Sequence, residues 1–107
     1  MNRPLSVWSL IAFGFASIAC MSAHADSDAD FARSKKCMSC HAIDEKRIGP
    51  TFKAVAAKYA NDKDAEARLA RKIRDGGSGV WGGLVMPAND VTPTEAQRLA
   101  HWVLMQK

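Results

Sequence analysis

One pentapeptide, Cys37-Met38-Ser39-Cys40-His41, constrains this chain more than any other stretch. Two thiols three positions apart, followed at once by a histidine, have the spacing of a c-type haem attachment site. Thiols so placed lie near one face of a helical turn and can add across the two vinyl groups of one porphyrin. The next residue, His41, is then held under the iron, where an imidazole nitrogen can serve as axial ligand. Two other readings use the same residues. A zinc site needs a second pair of ligands, and the only other cysteine is Cys20. A thioredoxin-like redox pair wants a βαβ setting, and the chain offers no convincing strand run. Haem attachment is therefore the expectation.

The N-terminus reads as an export signal. Arg3 gives a positive start, Leu5 to Met21 is mostly apolar, and Ala23-His24-Ala25 is a small-residue cleavage pattern. A retained membrane anchor fits less well, because a span needs roughly 20 apolar residues and this stretch is interrupted at Gly14. Lipidation at Cys20 is the other option, but Ser17 stands where a large aliphatic residue is expected. The expected organisation is a cleaved signal over residues 1–25 and one exported domain over 26–107, with no stable membrane insertion. All 11 acidic residues lie in that domain, and 15 basic residues less Arg3 leave a formal charge of +3 before any haem propionates. There is no basic stripe interleaved with aromatics, so nucleic acid is not an expected partner. A domain this small has a thin core of its own. A buried, covalently attached macrocycle would supply the missing apolar centre.

The pattern is helical throughout. Acidic and small residues at Asp26–Asp30 suit a first turn, and a helix from about Asp28 to Cys37 places Phe31 in the core. Lys35 and Lys36 read as a solvated face or as part of a docking rim. Ile48-Gly49-Pro50 is a turn. It can set a backbone carbonyl of Pro50 against His41 Nδ1–H, fixing the imidazole, or it can simply reverse the chain into the next helix. Phe52, Val55, Ala56 and Tyr59 follow the i, i+3, i+4, i+7 spacing of an amphipathic helix. Asn61–Asp64 break it, and Asp62 or Asp64 can cap a third helix with Leu69, Ala70 and Ile73 on one face. Arg68, Arg71, Lys72 and Arg74 cover its other side, with Lys72 the first choice for a propionate contact. Gly76-Gly77 ends it.

Residues 76–90 hold five of the seven glycines. A loop so long in a small domain is functional or disordered, and Trp81, Leu84, Val85 and Met86 argue against disorder. The Met86 thioether, held by Pro87, can cap the sixth position of the iron; Met38 lies inside the pentapeptide and Met105 near a helix end. The bland alternative for Met86 is a gap-filling core residue. The Trp81 indole N–H needs a partner if buried, and a propionate suits it. Asn89 can donate to the Met86 sulfur or serve as a turn residue before the last helix. Thr92-Pro93-Thr94-Glu95 is a capping box with proline at the first helical position. Ala96, Leu99, Ala100 and Val103 then form a buried stripe that Trp102 and Leu104 broaden. His101 lies beside it, as a rim histidine rather than a ligand.

Taken together, residues 26–107 resemble the bacterial class I cytochromes c of the small c-551 (c8) type. The resemblance rests on Cys37-Met38-Ser39-Cys40-His41-Ala42-Ile43-Asp44, Ile48-Gly49-Pro50, Val55-Ala56-Ala57-Lys58-Tyr59, Gly79-Val80-Trp81-Gly82, Met86-Pro87, Asn89, Glu95-Ala96-Gln97 and Trp102-Val103-Leu104. It implies an all-α fold of about four short helices wrapped round one haem c, with His41 and Met86 as axial ligands and Cys37 and Cys40 as thioethers. It further implies the Pro50 carbonyl behind His41, Trp81 at a propionate and Asn89 near the methionine sulfur. Lys72 stands where such proteins often carry arginine, and a lysine lacks the forked donor geometry of a guanidinium.

The function implied is a monomeric carrier of single electrons between redox proteins in the periplasm, not an enzyme. Donor and acceptor in such systems include cytochrome bc1, a nitrite reductase or a terminal oxidase. The alternative is a peroxidase-like haem enzyme or a gas-binding haem sensor, for which the sixth iron position must be open or labile.

Overall fold

A computed structural model describes Ala12, Gly14 and residues 22–107, with side chains from Ser27 onward. The expected export signal lies almost wholly outside the described residues. Among the described residues, four helices carry the fold: α1 (Ser22–Ser34), α2 (Phe52–Lys58), α3 (Ala65–Asp75) and α4 (Pro93–Leu104). A short 3₁₀ turn, Cys37–Ser39, sits between α1 and α2. Among the described residues the only β pairing is an isolated antiparallel bridge between Gly77 and Met86. The architecture is all-α, as expected.

The first helix starts and stops earlier than its periodicity suggests. Its stop is a backbone event: Lys36 takes up a left-handed conformation, φ 63° and ψ 19°, which cannot continue a right-handed helix. The pentapeptide thereby begins on a fresh turn of its own. Thr51 caps α2, its hydroxyl accepting from the Ala54 amide at 2.9 Å. At α3 the position of the cap and its chemistry separate. Asp64 occupies the N-cap without a side-chain bond. Asp62 instead accepts from the Asp64 amide at 2.9 Å and pairs with Arg68 at 3.4 Å. The Thr92 capping box at α4 is complete, with proline in the first turn.

The core forms where α4 crosses the other three helices. Ala32 from α1, Phe52 and Val55 from α2 and Ile73 from α3 pack on Ala96, Leu99, Ala100, Trp102 and Val103 of α4. Ala96 and Ala100 are fully excluded from solvent, and their small side chains let the partner helices approach closely. The α4 stripe is thus buried as its spacing requires. His101 stays on the surface beside it, its Nδ1 3.1 Å from Glu66 Oε2 of α3. This arrangement leaves Cys40 and His41, the Gly49-Pro50 turn and most of residues 77–87 around one cavity.

Candidate functional site: a histidine- and methionine-lined cavity

His41 is held from three directions. Its Nδ1–H donates to the Pro50 carbonyl oxygen at 2.7 Å. A carbonyl can only accept, so the ring proton belongs on Nδ1 and Nε2 carries the free lone pair. Phe52 stacks on the ring at 5.0 Å between centroids and 22° between planes, and Phe52 in turn meets Trp102 edge-on at 5.3 Å. Gly49 closes a third side: a Cβ added there would fall 2.5 Å from Cε1 and 2.8 Å from Nδ1. The local chain explains the placement. The Gly49 amide donates to the Cys40 carbonyl at 2.7 Å, and the Phe52 amide to the Ala42 carbonyl at 2.9 Å. The turn is thereby laced back onto the segment that carries the histidine.

Met86 is held by backbone. Gly77 and Met86 exchange both ladder bonds, at 2.9 and 2.8 Å, and Gly79 N–H reaches the Gly82 carbonyl at 2.9 Å. Gly76 has φ 72°, and a side chain there would strike the Met86 carbonyl and come within 2.8 Å of the Ala88 amide. Glycine is required at that point by both conformation and space. The glycine-rich loop is therefore pinned across its base.

His41 and Met86 both line one cavity of about 630 Å³. That volume falls within the range of about 300–1,000 Å³ usual for small-molecule and cofactor sites. Cys40, Pro50, Lys72 and Trp81 share its lining with Ile48, Leu84 and Val85. Ile48, Leu84 and Val85 are 64%, 71% and 71% exposed, an apolar surface suited to covering a large flat hydrophobic group. A thiol at the rim, an imidazole with a free nitrogen, a thioether and an apolar wall form a donor set that fits a c-type haem. Among the described residues, no group of three or more His, Cys, Asp or Glu side chains gathers to hold a bare metal ion.

The structure places the other expected residues individually. Cys37 is half-buried and packs against the core. Burial pushes its thiol above the ordinary cysteine value, partly offset by its own backbone hydrogen bond. Trp81 is about half exposed and stands under the Lys58 ammonium, 5.4 Å from the ring centre. The Lys72 stem folds over Gly77 so closely that a Cβ there would lie 2.6 Å from Nζ. Asn89 Nδ2 donates to the Ile73 carbonyl at 2.9 Å and to the Pro87 carbonyl at 3.4 Å, and the Asn89 amide also donates to Ile73 O at 3.1 Å. Its hydrogen bonds thus dock the end of the loop onto the last turn of α3, and the sulfur of Met86 is not among their acceptors. Periodicity marked Phe52 as core only, and its stacking on His41 leaves no trace at that level. The Gly49 contact had a signal in the glycine-proline pair but not its partner. Lys58 over Trp81 joins residues far apart in sequence and had none.

Residues 29–107 match the sequence family described as Cytochrome c. Cytochrome c-551 of Pseudomonas aeruginosa is 46% identical over 105 residues, covering 98% of this chain and 99% of that protein. Cytochrome c-552 of Hydrogenobacter thermophilus is 51% identical over 76 residues, 71% of this chain and 78% of its own. The crystal structure of wild-type Nitrosomonas europaea cytochrome c552 superimposes with a TM-score of 0.71 at 46% identity, covering 74% of this chain and 99% of that one.

Proposed function

Since the chain belongs to the cytochrome c family and so carries a covalently attached haem c, we propose that it is a periplasmic carrier of single electrons, with His41 and Met86 as the axial ligands. The observation that carries this reading is that the two residues share one apolar cavity and that each is held by bonds independent of any cofactor. Haem supplies the Fe(III)/Fe(II) couple, and a histidine–methionine ligand pair raises its potential.

The chain's own residues define the rest. Cys37 and Cys40 would hold the haem as thioethers. Pro50 keeps the proton on His41 Nδ1 and so presents Nε2. The Gly77–Met86 bridge fixes the loop that bears the thioether. Lys72 and Trp81, both on the cavity lining, are the candidates for the propionates, with Lys58 adding positive charge beside the indole. Asn89 orients the Met86 segment through Ile73 and Pro87. With His41 and Met86 both holding the iron, no position on it would be left for a substrate, which is why the reading is a carrier rather than an enzyme. The apolar wall of Ile48, Leu84 and Val85 would pack on the haem and shield it from water.

The partners are redox proteins in small, transient contacts, with a bc1-type complex as donor and a nitrite reductase or terminal oxidase as acceptor. The carrier works as a monomer after cleavage behind Ala25. Among the described residues, no helix is long and apolar enough to cross a membrane.

The test is the visible spectrum of the oxidised protein for wild type and Met86→Ala, after export with the haem-attachment machinery. A weak long-wavelength sulfur-to-iron band in wild type only, with cyanide and carbon monoxide binding readily in the mutant only, is the expected result. A wild type that lacks the band and takes up both ligands fast has an open sixth position, and the reading shifts to a peroxidase-like enzyme or a gas sensor.

A further inference from the structure

We propose that Lys58 is a positioning residue for the carrier: its ammonium, seated on the Trp81 ring, latches the tip of the glycine-rich loop to α2 and keeps Met86 closed over the haem cavity. This deepens the carrier reading and rests on it, since it takes Met86 as the ligand that the loop presents.

The loop is tied unevenly. Its base is fixed by the Gly77–Met86 bridge, and its far end by Asn89 on the Ile73 carbonyl. The tip lacks ties of that kind. Among the described residues, the only hydrogen bond entered by any residue from 80 to 85 is the one the Gly82 carbonyl accepts from Gly79, inside the loop. Val80, Trp81, Leu84 and Val85 are all exposed. A segment with so few buried contacts opens locally at low free energy. What joins the tip to a helix is Lys58 Nζ, 5.4 Å from the centre of the Trp81 ring.

The helix that supplies this cation is well placed to anchor it. Phe52 and Val55 of α2 lie in the core with α4. Phe52, the first residue of α2, stacks on His41, and Lys58, the last, reaches Trp81. At a rise of about 1.5 Å per residue, roughly 9 Å of helix separates them. One short element therefore touches the histidine at one end and the methionine loop at the other. The end of a helix favours a cation. That accounts for a lysine at position 58, but not for its seat on an indole. Cations also lie over Phe31, but these are Lys35 and Arg98, away from the loop. Trp81 lines the haem cavity and Lys58 does not, so the ammonium meets the indole outside the cavity and leaves the wall apolar.

The experiment uses the exported, haem-loaded protein. Cyanide reaches an iron closed by Met86 only when the loop opens, so its binding rate to the oxidised protein reads that opening. Lys58→Gln should bind cyanide about threefold faster than wild type, the size expected for an exposed cation on an aromatic face. Lys58→Arg, which keeps a cation over the ring, should bind at the wild-type rate. In a Trp81→Leu background, Lys58→Gln should add nothing. A second reading needs no change at Trp81: in the reduced protein, the indole N–H resonance of Trp81 should move in Lys58→Gln while that of Trp102 stays in place. A wild-type rate in Lys58→Gln, a rate in Lys58→Arg as fast as in Lys58→Gln, equal acceleration with and without Trp81, or an unmoved Trp81 resonance each overturn the proposal. The sulfur-to-iron band of wild type keeps the two readings apart. Its absence sinks the carrier reading, whereas the indole resonance judges the Lys58–Trp81 latch by itself.

Discussion

Gly49 approaches the His41 ring so closely that a methyl group on its Cα would sit 2.5 Å from Cε1 and 2.8 Å from Nδ1. Hydrogen in the place of a side chain is what allows the turn to run against the imidazole. Gly49→Ala must therefore push the ring or the turn aside and strain the bond to Pro50. Overpacking of this kind costs about 1–3 kcal/mol. The expected result is a lower denaturant midpoint together with altered electron paramagnetic resonance g-values in the oxidised protein, since a displaced ring changes the ligand field. A mutant with wild-type stability and g-values would show that the turn yields without cost.

Lys36 takes a left-handed conformation with φ 63° at the end of α1, where a side chain costs roughly 1–2 kcal/mol. Glycine removes that cost but gives the unfolded chain more freedom, worth about 0.5–1 kcal/mol. The first effect is the larger. Lys36→Gly should raise stability by about 0.5–1 kcal/mol, read from chemical denaturation. Destabilisation would mean that the Lys36 side chain contributes a contact worth more than its strain.

Glu95 completes the capping box of α4: the Thr92 amide donates to its carboxylate at 2.9 Å, and its own amide donates to the Thr92 hydroxyl at 3.1 Å. Its carboxyl is held below the ordinary value of 4.5, chiefly by the Thr92 backbone bond, which outweighs the opposing desolvation, with the Thr92 hydroxyl and the charges of Lys35 and Arg98 adding to it. A carboxyl depressed in the folded state stabilises above its unfolded value and loses that contribution as pH falls through the folded one. Glu95→Gln keeps the acceptor and removes the charge. Its stability deficit at neutral pH should shrink steadily as pH drops below 4.5. A deficit that stays constant down to acid pH would place the effect in packing.

Arg98 ties α4 to α1. Its Nε donates to Asp28 at 2.6 Å, its Nη2 to the Ser27 hydroxyl at 3.2 Å, and its guanidinium lies 4.7 Å from the centre of the Phe31 ring. The ion pair is partly exposed, so Arg98→Ala should cost only about 1 kcal/mol. Hydrogen exchange should quicken in α1 while the amides around Leu99 and Val103 stay protected. Equal acceleration in both helices would show that the clamp supports the whole bundle.

What could be read from one dimension was carried by local chemistry. A pentapeptide spacing names a haem site because attachment and ligation happen within one turn of chain. The Thr92 capping box and the Phe52, Val55, Ala56 pattern name helices because helical contacts are three or four residues apart. Met86 could be singled out because it alone stood in a long apolar loop. These features amount to the fold class and most of the candidate site.

The tertiary structure decided everything that depends on distance in space between residues distant in sequence. That the Asn89 amide binds the Ile73 carbonyl follows from where α3 ends, not from the loop's own composition. That Asp62 and not Asp64 satisfies the start of α3 follows from which oxygen the turn turns inward. Phe52 on His41, Lys58 over Trp81 and Gly49 against the imidazole are contacts across elements. The physical reason is common to all of them: helix propensity and ligand spacing are properties of neighbouring residues, whereas packing, pairing and exposure belong to the assembled surface.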